Sequence, residues 1–273
     1  MSANNRRPLL LLALLLASAC LLSPVLAQQP SRSGGTITLP AQVKAYQEAV
    51  LTAKVAGYLR AIPVDKGDRV KAGDLIADIE VPELVADRAQ YKAQVDVARA
   101  DYDRMQRAIK TAPDLVTPEI LDQAKGKLEV AQAQLDRVNT LLRYARITAP
   151  FPGTITARYV DPGAFIPVPT SSDQRGAAIV GLMNFHRVRV QIPVPEDEAL
   201  AVTKDTPVTF TVQSLPGRTF RATISRVSYA LDQGTKTMLA EIDMDNPGEV
   251  LRPGMYASAQ LHVQGGAANG AEP

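Results

Sequence analysis

Residues 83–145 read ELVADRAQYKAQVDVARADYDRMQRAIKTAPDLVTPEILDQAKGKLEVAQAQLDRVNTLLRYA, and their periodicity decides the architecture. In the first arm Tyr91, Val95, Ala98, Tyr102, Met105 and Ile109 recur at alternating spacings of four and three. In the second, Leu121, Ala124, Leu128, Ala131, Leu135, Val138, Leu142 and Ala145 do the same. A heptad seam of this kind turns one narrow apolar stripe toward a partner helix. Pro113 cannot continue the first helix, whereas Thr117 can cap the second, with Pro118 at the first position, where a missing N–H costs nothing. A link this short predicts antiparallel neighbours. Each arm of roughly 28 residues extends about 40 Å at 1.5 Å per residue. A rod of that length cannot fold back into a compact domain, so the helical hairpin must protrude.

On either side of the hairpin the chain repeats itself. Residues 55–70 (VAGYLRAIPVDKGDRV) and 151–166 (FPGTITARYVDPGAFI) align at one constant offset. Gly57 meets Gly153, Ala61 meets Ala157, Val64 meets Val160, Asp65 meets Asp161, and Gly67 meets Gly163. Leu59 with Ile155 and Val70 with Ile166 keep apolar character. Both copies alternate apolar and polar residues and carry Asp-x-Gly turns, which predicts short strands joined by tight turns. Asp65 and Asp161 are read as turn formers rather than a catalytic pair. A half-sheet of three or four strands hides only one face, so the two halves are expected to pair and close a small sandwich.

These strings resemble a known family. Val55-Ala56-Gly57, the run from Val64 through Gly67-Asp68 to Gly73-Asp74, and Ala149-Pro150-Phe151-x-Gly153 look like the two halves of a lipoyl or biotinyl domain. They are most similar to that domain as split by a coiled-coil hairpin in the HlyD-like periplasmic adaptor (membrane fusion) proteins of tripartite efflux pumps. In a true carrier a modified lysine sits at the turn between the halves. Here the hairpin takes that place, and Lys71 lies on another turn, so no covalent cofactor is expected.

From Arg187 the pattern returns to period two, followed by a short acidic helix near Pro195–Val202. Strands are predicted at Val208–Val212, Phe220–Val227, Thr237–Met244 and Tyr256–Val263, a spacing that suggests a small antiparallel barrel. Adaptors carry such a barrel after the lipoyl-like part. Val194-Pro195-Glu196-Asp197, Leu231-Asp232-x-x-Thr235 and Leu251-Arg252-Pro253-Gly254-Met255 are similar to theirs. The last string is the most specific, a turn with Pro second and Gly supplying positive φ. The fold class is thus mixed and mainly β: a split lipoyl-like barrel-sandwich with an inserted α-helical coiled-coil hairpin, then a small β-barrel.

The expected order is a signal peptide (1–27), a flexible linker (28–35), the first lipoyl-like half with an N-terminal strand (36–82) and the hairpin (83–145). The second lipoyl-like half (146–183), the β-barrel (184–264) and a disordered tail (265–273) complete it. Arg6-Arg7 before a leucine-rich run ending at Val25-Leu26-Ala27 is a secretory signal. Lipid attachment at Cys20 and an uncleaved anchor are the alternatives, and all three place the rest of the chain outside the cytoplasm. The resemblance leaves open whether a membrane-proximal domain exists. Without Arg6 and Arg7, 28 basic residues face 28 acidic ones, which gives no electrostatic case for nucleic acid.

Catalytic constellations are poor. His186 and His262 are far apart, the only cysteine is Cys20, and the methionines are scattered, so neither an enzyme nor a metal site is expected. No phosphate loop or nucleophile elbow occurs. What the resemblance implies is bridging: an inner-membrane transporter, of the RND type by the Leu251–Met255 string, coupled to an outer-membrane channel by a periplasmic, membrane-associated ring of copies. An adaptor for an ATP-driven exporter and a pump-independent extracytoplasmic scaffold are the rival readings. Adaptors that dock on channels carry an Arg, a Leu and a Ser near the hairpin tip. Here Arg104 or Arg107, Leu115 and Thr117 are the candidates, with Asp122 following, although the arginines and Leu115 are displaced from the usual spacing.

Overall fold

The computed structural model describes residues 35–111, 117–167 and 177–263. Four strands come first: β1 (Thr36–Thr52), β2 (Gly57–Ala61), β3 (Arg69–Val70) and β4 (Leu75–Glu80). Two long helices follow, α1 (Pro82–Thr111) and α2 (Pro118–Ala145). Next are β5 (Arg146–Thr148), β6 (Gly153–Arg158), β7 (Phe165–Ile166) and β8 (Ala178–Pro195), then the one-turn α3 (Glu196–Ala199). The chain closes with β9 (Pro207–Val212), β10 (Thr219–Thr223), β11 (Arg226–Asp232), β12 (Thr237–Asp245) and β13 (Tyr256–His262).

The two repeat copies touch, β2 pairing with β7 and β3 with β6, and they do so by exchanging strands. The expectation of one half-sheet per copy is not what forms. The sheet β5-β4-β2-β7 takes β2 and β7 from the two copies and β4 and β5 from just beyond them, and β3 pairs with β6 on the opposite side. The pairings obey a pseudo-twofold. Gly57 faces Ile166 as Val70 faces Gly153, and Tyr58 faces Phe165 as Arg69 faces Thr154. Leu59 N–H donates to Ala164 O while Ile155 N–H donates to Asp68 O; Gly163 N–H donates to Leu59 O while Gly67 N–H donates to Ile155 O. Interleaving gives β2, β4 and β6 partners on both sides and each of β3, β5 and β7 a partner on one side, which a stand-alone half of this size could not provide.

The symmetry runs further than the sixteen repeated residues. Leu59↔Ile79 and Ala61↔Asp78 match Ile155↔Leu182 and Ala157↔Gly181, with the register shift at the same place in each copy. Likewise Leu75↔Thr148 and Ala77↔Ile147 match Ala178↔Thr52 and Val180↔Leu51. Seven additional residues between β7 and β8 break the constant offset. The axis therefore carries β4 and β5, from which the hairpin springs, onto the first part of β8 and the second part of β1. Those two strands continue out of the sandwich into the second module, so rod and second module leave from twofold-equivalent seats.

Gly57 and Gly153 are equivalent and both are obligatory. A Cβ on Gly57 would sit 2.4 Å from Glu80 O, and one on Gly153 would sit 2.5 Å from Met183 O. The core between the sheets is aliphatic, with Leu59, Ile76, Ile79, Ile155, Ile166 and Leu182 each at most 1% exposed. Leu84 and Leu141 at the hairpin root, together with buried Ala145, pack onto the same core.

The second module has its own core around Val43, Val190, Ile192, Phe210, Ile242 and Leu261. The first part of β1, which the sequence groups with the lipoyl-like half, belongs here: Thr36–Gln42 pairs with β13 and buries Leu39 and Ala41. Strand order runs β10-β9-β13-β1-β8-β12-β11. The single strand expected at Phe220–Val227 bends at Ile224-Ser225, so that β10 pairs with β9 and β11 with β12. Ile224 exchanges bonds with Asp205 and Thr206 beside β9, while Ser225 N–H donates to Glu241 O of β12.

Candidate functional site

The hairpin is the first candidate surface. By length α1 and α2 reach about 45 and 42 Å. Val95, Ala131, Val138 and Ala145 are buried between or beneath the arms. Tyr91, Ala98, Tyr102, Met105, Ile109, Leu121, Leu128, Leu135 and Leu142 are each half-buried, as two helices without a third layer require. Flanking charges pair along the helix surfaces, as in Arg104–Asp101 at 3.3 Å and Lys125–Glu129 at 3.8 Å.

The tip candidates are not gathered into one cluster. Arg104 lines a groove of about 770 Å³ across the two arms with Met105, Ile120, Gln123 and Ala124. Arg107 is exposed elsewhere, and its carbonyl accepts from the Thr111 hydroxyl at 3.1 Å. Thr117 occupies the N-cap of α2 with Pro118 next, yet the expected side-chain cap does not form; its carbonyl accepts the ordinary first helical bonds, from Ile120 N–H at 3.1 Å and Leu121 N–H at 3.4 Å. Asp122 is exposed. Leu115 lies outside the described residues.

The Leu251–Met255 string lands at the junction of the two modules. Leu251 is 1% exposed, and Asn246, itself buried, brackets it: Nδ2 donates to Leu251 O at 2.7 Å and Oδ1 accepts from Leu251 N–H at 3.0 Å. The same Nδ2 donates to Phe185 O at 2.9 Å. Gly254, at φ +92°, donates its N–H to Val43 O, and Met255 O accepts from Val43 N–H. Arg252, Pro253 and Gly254 then line a cleft of about 810 Å³ facing Gly67, Arg69 and Thr154 of the sandwich. Sequence reasoning found this string but did not connect it with Gly67, Arg69 and Thr154 across the cleft, because those partners are remote in the chain.

On the outer face of the second module charges form a ladder. Arg187 reaches Asp245 at 3.0 Å, and Arg189 reaches Asp243 at 2.9 Å and Glu241 at 3.5 Å. Arg226 also binds Glu241 and Asp243, and Gln191 donates to Glu241. The bond to Asp243 raises the Arg189 pKa above its ordinary value, outweighing a smaller opposing effect of burial. At the far end, Asp232 caps the β11–β12 turn. Thr235 N–H, the Thr235 hydroxyl and Gly234 N–H hold this carboxylate below the usual range. Among the described residues there is no group of three or more His, Cys, Asp or Glu placed to hold a metal ion.

Two family models match consecutive stretches: one described as "RND MFP, barrel-sandwich hybrid domain" over residues 47–180, and one as "CusB-like, beta-barrel domain" over 187–265. The nodulation protein NolF of Rhizobium meliloti is 29% identical over 230 residues, covering 80% of this chain and 60% of that protein. The multidrug resistance protein MdtA of Yersinia pestis is 27% identical over 245 residues, covering 81% and 54%. The chain thus spans little more than half the length of the curated relatives it matches. In fold it resembles a MacA–MexA chimeric protein containing the Pseudomonas aeruginosa MexA α-hairpin, with a TM-score of 0.67 at 24% identity over 84% and 81% of the two chains. It also resembles ZneB of Cupriavidus metallidurans, with a TM-score of 0.57 at 21% identity over 85% and 71%.

Proposed function

The chain belongs to the periplasmic adaptor, or membrane fusion, proteins of RND systems, and from that premise we propose that it couples an inner-membrane RND transporter to an outer-membrane channel without catalysis. The observation that carries the proposal is the two-ended build. A rod of about 40 Å leaves one end of the sandwich, while β1 and β8 lead into the second module from the twofold-equivalent seat. The rod carries recognition outward, and the module at the other end faces the transporter.

In this reading the residues with heptad spacing, from Tyr91 to Ile109 and from Leu121 to Leu142, are the seam that keeps the rod stiff. Arg104, Arg107, Leu115, Thr117 and Asp122 supply the tip. The second module is a closed barrel in which the bent β10–β11 strand serves as one stave; bonds from Ile224 to the β9 side and from Ser225 to β12 support that closure. The domains divide near Tyr46 and Arg187, with the first part of β1 counted with the barrel. Several copies form a ring whose rods and sandwiches line a conduit, held by heterologous contacts that close. Envelope crosslinking in living cells, followed by purification of the chain, tests this. Recovery of an RND transporter and an outer-membrane channel is expected, and recovery of neither refutes the coupling role.

A further inference from the structure

We infer that Glu249 is a positioning residue: it straps the barrel module to the sandwich across a hinge and thereby fixes the angle between barrel and rod. The hinge is visible in the strand register. β1 and β8 are the two strands that run through both modules, and their pairing slips at the junction, from Ala45↔Val188 to Gln47↔Asn184. One residue of β1, Tyr46, thus stands opposite Phe185, His186 and Arg187. A bulge of this size interrupts the ladder and bends the strand that carries it. A two-stranded ribbon broken in this way resists twisting weakly.

The turn at Pro247–Glu249 lies against the bulge and reaches past it. Glu249 has φ +53°, uncommon for a residue with a side chain, and Gly248 before it has φ +71°. That backbone aims the carboxylate into the junction, where its side chain is only 16% exposed. Oε2 accepts from Arg69 Nη2 of the sandwich at 2.7 Å, and Oε1 lies 3.0 Å from His186 Nδ1 within the bulge. One carboxylate therefore grips the sandwich and the bulge at once. Asn246 in the same turn holds the bulge backbone, donating its N–H to His186 O and its Nδ2 to Phe185 O. Twofold symmetry supplies an internal control. The residue equivalent to Arg69 is Phe165, and it carries no charge pair; it meets Tyr58 edge to face with both rings more than half exposed. Arg69 thus departs from its counterpart at the one place where a barrel must be held.

The bearing on conduit assembly rests on the function proposed above, whereas the strap itself can be measured on the chain alone. Spin labels at Gln134→Cys on α2 and Gln213→Cys on the barrel, in a chain with Cys20→Ser, report the angle as a distance by double electron–electron resonance. The native pair should give one narrow distribution. Arg69→Glu and Glu249→Arg should each broaden and displace it, and the double exchange should restore it. Raising salt to about 1 M, where the screening length falls to about 3 Å, should move the native chain toward the single variants. Unchanged distributions in the single variants, or a correctly melting double variant that stays broad, overturns the inference. Should a charge reversal fail to fold, Glu249→Gln takes its place, and a native-like narrow distribution there is equally fatal. Failure of the envelope crosslinking would defeat the coupling role and leave this measurement standing.

Discussion

Replacing Gly57 or Gly153 with alanine should cost nearly the same, because the two positions are one position seen twice. In each, the new methyl points at the carbonyl of the neighbouring strand, Glu80 at 2.4 Å in one case and Met183 at 2.5 Å in the other. Side-chain carbons do not approach that closely, so the paired strands must part by about half an ångström or more, the kind of overpacking that costs about 1–3 kcal/mol. At about 2–4 °C per kcal/mol for a body of this size, the melting temperature should fall by roughly 2–12 °C in either variant. Gly126→Ala is the counter-experiment: nothing beyond the adjoining turns of its own helix backbone lies within 4 Å of the added carbon, and the residue sits in α2, so a gain of up to about 1 kcal/mol is expected. Calorimetry reads the melts, and hydrogen exchange at Leu59 and Ile155 reads the damage locally, since those amides make the twofold-related bonds to Ala164 and Asp68. If one glycine tolerates alanine and the other does not, the equivalence of the two copies is refuted.

Three other perturbations separate rod, tip and second module. Leu128→Asp with Leu135→Asp puts charge into the half-buried seam and should erase efflux and much of the helical circular-dichroism signal while the sheets persist; retained resistance at normal protein level refutes the seam. Thr117→Ala should leave the melt within about 0.5 kcal/mol of native, because no side-chain cap bond is lost, whereas a true cap would cost about 1 kcal/mol. If Thr117 docks on the channel, efflux should drop all the same. Asp232 predicts a pH effect: its folded pKa is lowered, so its contribution is present above the ordinary carboxylate value of about 3.9 and disappears as pH falls through the lower folded value. Protection of the Gly234 and Thr235 amides relative to their intrinsic exchange should fall in that acid window, and Asp232→Asn should remove the dependence; protection unchanged with pH contradicts it.

Much of the outline is legible in the sequence because it lives in periodicity. Helical spacing from Tyr91 to Leu142 and the matched glycines at 57 and 153 are local signals. Strand exchange between the copies is not local: alternating residues say which face is buried and nothing about which neighbour lies alongside. The longer symmetry escapes for a plainer reason, since seven extra residues after Ile166 shift the offset. The junction is hidden altogether. Phe185-His186-Arg187 continues a strand-like pattern, and Glu249 meets Arg69 across 180 residues of chain. Of the tip, residue types could be proposed, but the groove that joins Arg104 to Ile120 depends on how the two arms are phased.

The twofold frame has a consequence for how such a molecule can change. It is a socket board with two equivalent openings, one plugged by a helical pair and the other by a β module. Neither plug shares a seat with the other. Cutting one heptad from each arm would shorten the reach by about 10 Å and keep the apolar stripe in phase, with no message passed to the opposite opening. Length at one end and fit at the other are therefore separately adjustable.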